Sequence, residues 1–273
     1  MKIGIICSNN DTLWLFRVLQ KYDNEYFVYY DFLNWPYGDK WFEYSMKKVE
    51  DWIKYLIEKW AEKIILPPVY ELSILQSKNK FVDQILPLFQ TYVLECGFKY
   101  SLVGKIWTFG DYSDVQVVEK LLKNLEKKYN LTENQKLIKK FHSPFCYRSK
   151  EVSLRKSFLL NLSYSDFMVN KTVKFDLRYF KDAMVDTVLP LNYGYFAYEK
   201  TVSKFFNFKK IRFHKLEKLD EIFAWLVSKE KKSDYSVKVF FSGTSDFIIR
   251  DKRLVWLMQR WKNIELKLEE IIP

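Results

Sequence analysis

The chain has 273 residues, 48% of them apolar and 19% aromatic, which excludes a disordered or fibrous class and suffices for roughly two domains with buried cores. The formal charge is +11, yet lysine outnumbers arginine by more than four to one. That excess argues for a solvated lysine surface and against nucleic acid, because the planar arginine fork is what grips phosphates and base edges. Cys7, Cys96 and Cys146 form no C-x-x-C pair, and no secretory signal or membrane-length apolar run is present. This usage predicts a reducing, cytoplasmic setting with no membrane association.

Apolar periodicity predicts alternating strands and helices, hence an α/β class. A strand over 3–6 precedes a helix over 13–22. Phe42, Met46, Val49, Ile53, Leu56 and Trp60 recur at steps of four and three, one buried helical stripe. A strand over 64–66 follows, and Pro67 and Pro68 end it because neither can donate to a sheet ladder. The same unit returns as a strand over 106–108 with a helix over 115–129. It returns again as a strand over 187–189 with a helix over 195–206. Last come a strand over 237–241 and a helix near 254–261, where Leu254, Leu257, Met258 and Trp261 share a face. The stretch 123–165 gives no clear pattern, and no linker composition marks a domain boundary.

In an open α/β sheet, ligands settle beyond the carboxyl ends of the strands. Ser8, Asn9, Asn10 and Thr12 occupy such an end, before a helix start whose free N–H groups favour an anion. Helix capping by Asp11 or Thr12 is the competing use of that segment. Cys7 reads as a small buried residue at a strand end, and Glu71 as solvated or capping. His142 and His214 fit no metal-ligand spacing, so no metal is expected. Cys96 and Cys146 read as packing residues. No Walker loop, dinucleotide fingerprint or nucleophile elbow is present, so no cofactor is expected.

Five segments, in order, resemble glutamate racemases of the aspartate/glutamate racemase superfamily. Residues 2–19 (KIGIICSNNDTLWLFRVL) are similar to that family's first strand, loop and helix, with Cys7-Ser8-Asn9 where it has Asp-Ser-Gly. Residues 30–38 (YDFLNWPYG) keep its Pro-Tyr-Gly turn as Pro36-Tyr37-Gly38. Residues 63–72 (KIILPPVYEL) place Pro68-Val69-Tyr70 where it has Cys-Asn-Thr. Residues 185–196 (VDTVLPLNYGYF) keep its Val-Asp-Thr entry, but Leu191-Asn192-Tyr193-Gly194 replaces Gly-Cys-Thr-His. Residues 239–246 (VFFSGTSD) retain its Ser-Gly as Ser242-Gly243. Ser143-Pro144 offers a looser match in between.

The resemblance implies two pseudo-symmetric three-layer αβα domains with mostly parallel sheets and an interdomain cleft. It divides the chain into 1–98 plus 208–273 and 99–207. It implies a carboxylate or amino-acid pocket contributed by Ser8, Asn9, Pro36, Tyr37, Gly38, Val69, Tyr70, Asn192 and Tyr193. The family's two catalytic thiols fall at Pro68 and Asn192, which carry no acid or base, and racemisation needs one on each face of the α-carbon. A catalytically inactive relative, a pseudoenzyme binding a small carboxylate, an amino acid or a protein partner, is therefore expected, with Tyr70 and Tyr193 narrowing the cleft and Gly194 in place of a histidine. Two other readings stand beside it. One is a cofactor-independent racemase, isomerase or lyase with Cys7 and Glu71 as substitute bases. The other is a basic scaffold for nucleic acid or an acidic protein. A homodimer is a further expectation.

Overall fold

The computed structural model describes residues 1–7, 22, 24–31, 41–102, 105–129, 146–151, 166–182, 185–207, 212–213, 222, 236–242 and 264–270. The expected helices over 13–22 and 254–261 and the residues Asn10, Asp11, Thr12, His142, Ser143, Pro144, His214 and Gly243 lie outside them, apart from Tyr22. The chain divides into two compact units, Met1–Ile85 with Lys218–Pro273, and Leu86–Glu217. No helix among the described residues is long and apolar enough to cross a membrane.

The first unit is built on a six-stranded parallel sheet. Its strands are β1 (Lys2–Cys7), β2 (Glu25–Asp31), β3 (Lys63–Ile65), β4 (Val82–Asp83), β9 (Ser236–Ser242) and β10 (Ile264–Glu270), in the order β10-β9-β2-β1-β3-β4. β1 is central and reads as a continuous apolar run, with Ile3, Ile5 and Ile6 all buried, as a strand covered on both faces requires. At Gly4 a Cβ would come within 3.1 Å of Leu56 and 3.2 Å of Ala61 and Ile64, so glycine lets the helix end pack against the strand. That helix, α1 (Phe42–Glu58), buries Met46, Val49, Ile53 and Leu56 of the expected stripe together with Trp52. They join Ile6, Phe27, Tyr29, Ile64, Leu66 and Val82 in one core. Trp52 stacks on Tyr29 with ring centroids 3.9 Å apart.

The two ends of the stripe differ from expectation. Phe42 is 45% and Trp60 76% exposed. Trp60 lies past the helix, at φ 69°. Its N–H donates to Ile57 O at 2.9 Å, and that of Ala61 donates to Leu56 O at 3.0 Å. These two bonds make a Schellman stop, with tryptophan in the left-handed position that glycine usually fills. The pattern of fours and threes carried on for one residue beyond the point where the backbone reverses.

The second unit carries a four-stranded parallel sheet, β5 (Lys105–Gly110), β6 (Cys146–Glu151), β7 (Thr187–Pro190) and β8 (Arg212–Phe213), in the order β6-β5-β7-β8. The order β2-β1-β3-β4 of the first sheet repeats here strand for strand, so the two units share a topology. Helices α3 (Leu86–Tyr100), α4 (Tyr112–Tyr129), α5 (Asp166–Asp182) and α6 (Glu199–Asn207) complete the unit. Phe180 of α5 packs edge-on against Trp107, Phe109 and Phe206. Helix α4 starts three residues earlier than its apolar pattern indicates. The expected helix over 195–206 is a 3-10 turn over Tyr193–Tyr198 followed by α6.

The Val185-Asp186-Thr187 run serves the architecture. The Asp186 carboxylate accepts from Ser101 Oγ at 2.9 Å and from the Leu102 N–H at 2.6 Å, closing the turn after α3.

Candidate functional site

In the first unit, β1, β2 and β9 end in register: Cys7 lies opposite Tyr30, and Asp31 opposite Ser242. Cys7, Asp31 and Ser242 therefore share the carboxyl edge of one sheet, where parallel α/β folds place ligands. Asp31 is buried and accepts a 2.8 Å hydrogen bond from Trp52 Nε1. Pairing a buried carboxylate with a donor is what makes its burial tolerable.

β3 ends on the same edge and runs into Leu66, Pro67, Pro68 and Val69, all buried. The Val69 N–H donates back to Pro67 O at 2.7 Å, which makes a γ-turn with Pro68 at its centre. Gln84, just past β4 (Val82–Asp83), secures the turn: its buried Nε2 donates to Pro67 O at 2.9 Å and to Val69 O at 3.1 Å. With no N–H of its own, Pro68 suits the centre of so tight a turn. Beyond it a 3-10 turn, Tyr70–Ser73, leads into α2 (Ile74–Lys78), and Glu71 on that turn is exposed.

In the second unit, β5 ends at Gly110. A Cβ at that position would lie 2.6 Å from Asp114 Cβ and 3.0 Å from Leu191 Cβ, so only glycine allows this approach. Asp111 then starts α4: its carbonyl accepts from the Val115 N–H at 3.1 Å, and its own N–H donates to Asp114 Oδ2 at 3.1 Å. The latter bond is half of a capping box. Asp114 is buried and accepts a second bond at Oδ1, from Gln90 Nε2 at 3.1 Å. Asp111 Oδ1 accepts from the Tyr195 hydroxyl at 2.7 Å.

β7 reaches the same edge. The Leu191 N–H donates to Phe109 O at 2.7 Å, extending the pairing by a residue and presenting Asn192 to this polar cluster. Asn192 is 0% exposed. Its Nδ2 donates to Asp114 Oδ2 over 3.5 Å, and its Oδ1 accepts from the Gly194 N–H at 3.0 Å. The amide thus ties the end of β7 to the start of α4 and to its own following turn. Tyr193 is buried and packs edge-on against Phe89, 5.7 Å between centroids.

Of the residues singled out from sequence, Val69, Asn192 and Tyr193 are buried, Glu71 is exposed, and Cys7 and Tyr70 are fixed by backbone position alone. Ser8, Asn9, Pro36, Tyr37 and Gly38 lie outside the described residues. Sequence reasoning passed over Asp31, Gln84, Gln90, Asp111 and Asp114. Three of these had a signal: Asp31 closes the apolar run of β2, and Asp111-x-x-Asp114 has the spacing of a capping box. Among the described residues no three His, Cys, Asp or Glu side chains converge as metal ligands would.

No protein-family model matches the sequence, and no curated protein matches it. Solved structures do. A glutamate racemase from Bacillus anthracis, 17% identical, superposes over 98% of this chain and 97% of its own with a TM-score of 0.66. The enzyme from Campylobacter jejuni is 16% identical, with 96% and 100% coverage and a TM-score of 0.64. That from Escherichia coli, solved with L-glutamate and the activator UDP-MurNAc-Ala, is 13% identical, with 98% and 99% coverage and a TM-score of 0.63. Over nearly its whole length this chain has the glutamate racemase fold.

Proposed function

We propose that the chain is a catalytically inactive relative of glutamate racemase, a pseudoenzyme that binds a small carboxylate, an amino acid or a protein partner at the carboxyl ends of its strands. The observation that carries this reading is the condition of Asn192. It is fully buried, and both polar atoms of its amide are committed to hydrogen bonds within its own unit. An amide neither gains nor loses a proton near neutral pH. At the matching strand end of the first unit, Pro68 has no side-chain heteroatom at all, and a buried glutamine braces its turn. Losing one positioned base typically lowers a proton-transfer rate ~10²–10⁴-fold, and here neither position carries one.

The E. coli neighbour, solved with L-glutamate, supports this ligand class. Deuterium incorporation at the α-carbon of glutamate and aspartate, followed by proton NMR in heavy water with purified protein, tests the reading. No incorporation above a buffer blank is expected, together with a concentration-dependent rise in unfolding temperature when a ligand of this class binds. Incorporation that disappears in Cys7→Ser or Glu71→Gln would establish an active isomerase using those two groups and overturn the proposal.

A further inference from the structure

Helix α5 presents a second feature, remote in kind from the strand ends. Val173, Asp176, Leu177 and Phe180 face inward, which leaves Lys171, Lys174, Phe175, Arg178 and Tyr179 outward. Phe175 is 66% and Tyr179 53% exposed. The Arg178 guanidinium carbon lies 5.4 Å from the Phe175 ring centroid and 5.1 Å from that of Tyr179. Lys171, Lys174 and Arg178 make no ion pair among the described residues, and the one carboxylate between positions 170 and 180, Asp176, is buried.

We propose that this face docks an acidic protein segment that also carries aromatic or aliphatic side chains. Charge complementarity argues first. Lys171 and Lys174 are three residues apart, Lys174 and Arg178 four, so like charges face one another along the helix and destabilise it until an anionic partner neutralises them. Composition argues second. Exposed aromatic rings around an arginine are what interface centres are enriched in, whereas a merely solvated face carries lysine and glutamate. The guanidinium lies against both rings, holding them as a platform and covering a ring face that base stacking would need. A protein segment satisfies both halves of the surface, with carboxylates on the cations and apolar side chains on the rings.

The test uses the full chain and three fluorescent probes, a glutamate–tyrosine random copolymer, polyglutamate and polyuridine, with binding read by anisotropy at low and moderate salt. The copolymer should bind more tightly than either of the others. Arg178→Ala and Phe175→Ala should each weaken it by about fivefold to tenfold, with unfolding temperatures unchanged because both side chains are exposed. Three results would overturn the proposal. The copolymer does not bind, or binds all variants alike. Polyuridine binds most tightly and loses affinity in Phe175→Ala, which assigns the face to nucleic acid. Polyglutamate equals the copolymer and responds only to Lys171→Glu with Lys174→Glu, which leaves bare charge attraction.

Discussion

Replacing Asn192 by cysteine installs at this strand end the thiol that the family resemblance leads one to expect there, and the structure predicts a loss of stability with no gain of activity. The Gly194 N–H donates to Asn192 Oδ1 over 3.0 Å inside a fully buried turn, and a thiol is a poor replacement acceptor. Leaving that donor unsatisfied costs about 1–3 kcal/mol. The second bond, to Asp114 Oδ2, is long at 3.5 Å, and Asp114 keeps the Gln90 and Asp111 donors, so its loss adds little. The sum is about 2 kcal/mol, or about 6 °C in unfolding temperature for a unit of this size. Differential scanning calorimetry of Asn192→Cys beside wild type and the exposed control Lys120→Ala provides the measurement, and the control should stay within ~0.5 kcal/mol. Asn192→Cys should still give no α-deuterium exchange, because Pro68 leaves the other position without an acid or base. A variant as stable as wild type would show that the amide holds nothing together, and that position 192 is free to face a ligand.

Gln84→Ala removes the donor shared by Pro67 O and Val69 O, which keep the Val69 and Leu72 N–H donors, and the first unit should lose about 1–3 kcal/mol, seen as a lower urea midpoint at unchanged slope. Trp60→Gly should act in the opposite direction. A left-handed φ of 69° strains every residue but glycine, so relief of about 1 kcal/mol should raise the unfolding temperature by about 3 °C. Gly110→Ala forces a methyl to within 2.6 Å of Asp114 Cβ and should cost about 1–3 kcal/mol or prevent soluble expression; thermal unfolding of the purified variant decides.

What could be read in advance was whatever repeats along the chain. The α1 stripe and the apolar runs of β1, β5 and β7 announced themselves, because burial on a fixed face imposes a period on sequence. β4 and β8 are two residues each and have no period to show. β10, with Ile264, Leu266 and Leu268 alternating with charges, was legible as a strand and was passed over. The buried polar residues at the strand ends of each unit were hidden for a different reason. Gln84, Gln90 and Asp114 look like surface residues by type, and only the folded chain reveals which carbonyl, amide or helix start each one serves. Asn192 shows both sides of this: the resemblance marks its position, whereas its bonds to Gly194 and Asp114 exist only in the folded chain.

The two units differ in how the chain assembles them. The second is one continuous stretch, Leu86–Glu217, whereas the sheet of the first needs β9 and β10 from the far side of it. As the polypeptide leaves the ribosome, β2 emerges early and pairs with β1 on one side. Its other edge, in the tyrosine-rich run EYFVYYD, stays bare until Ser236–Ser242 has been made. At ~5–20 residues per second that is an interval of tens of seconds or less, during which an unpaired apolar strand is open to other chains. Aggregation during synthesis should therefore begin at β2, and a chaperone that shields nascent strands should act there.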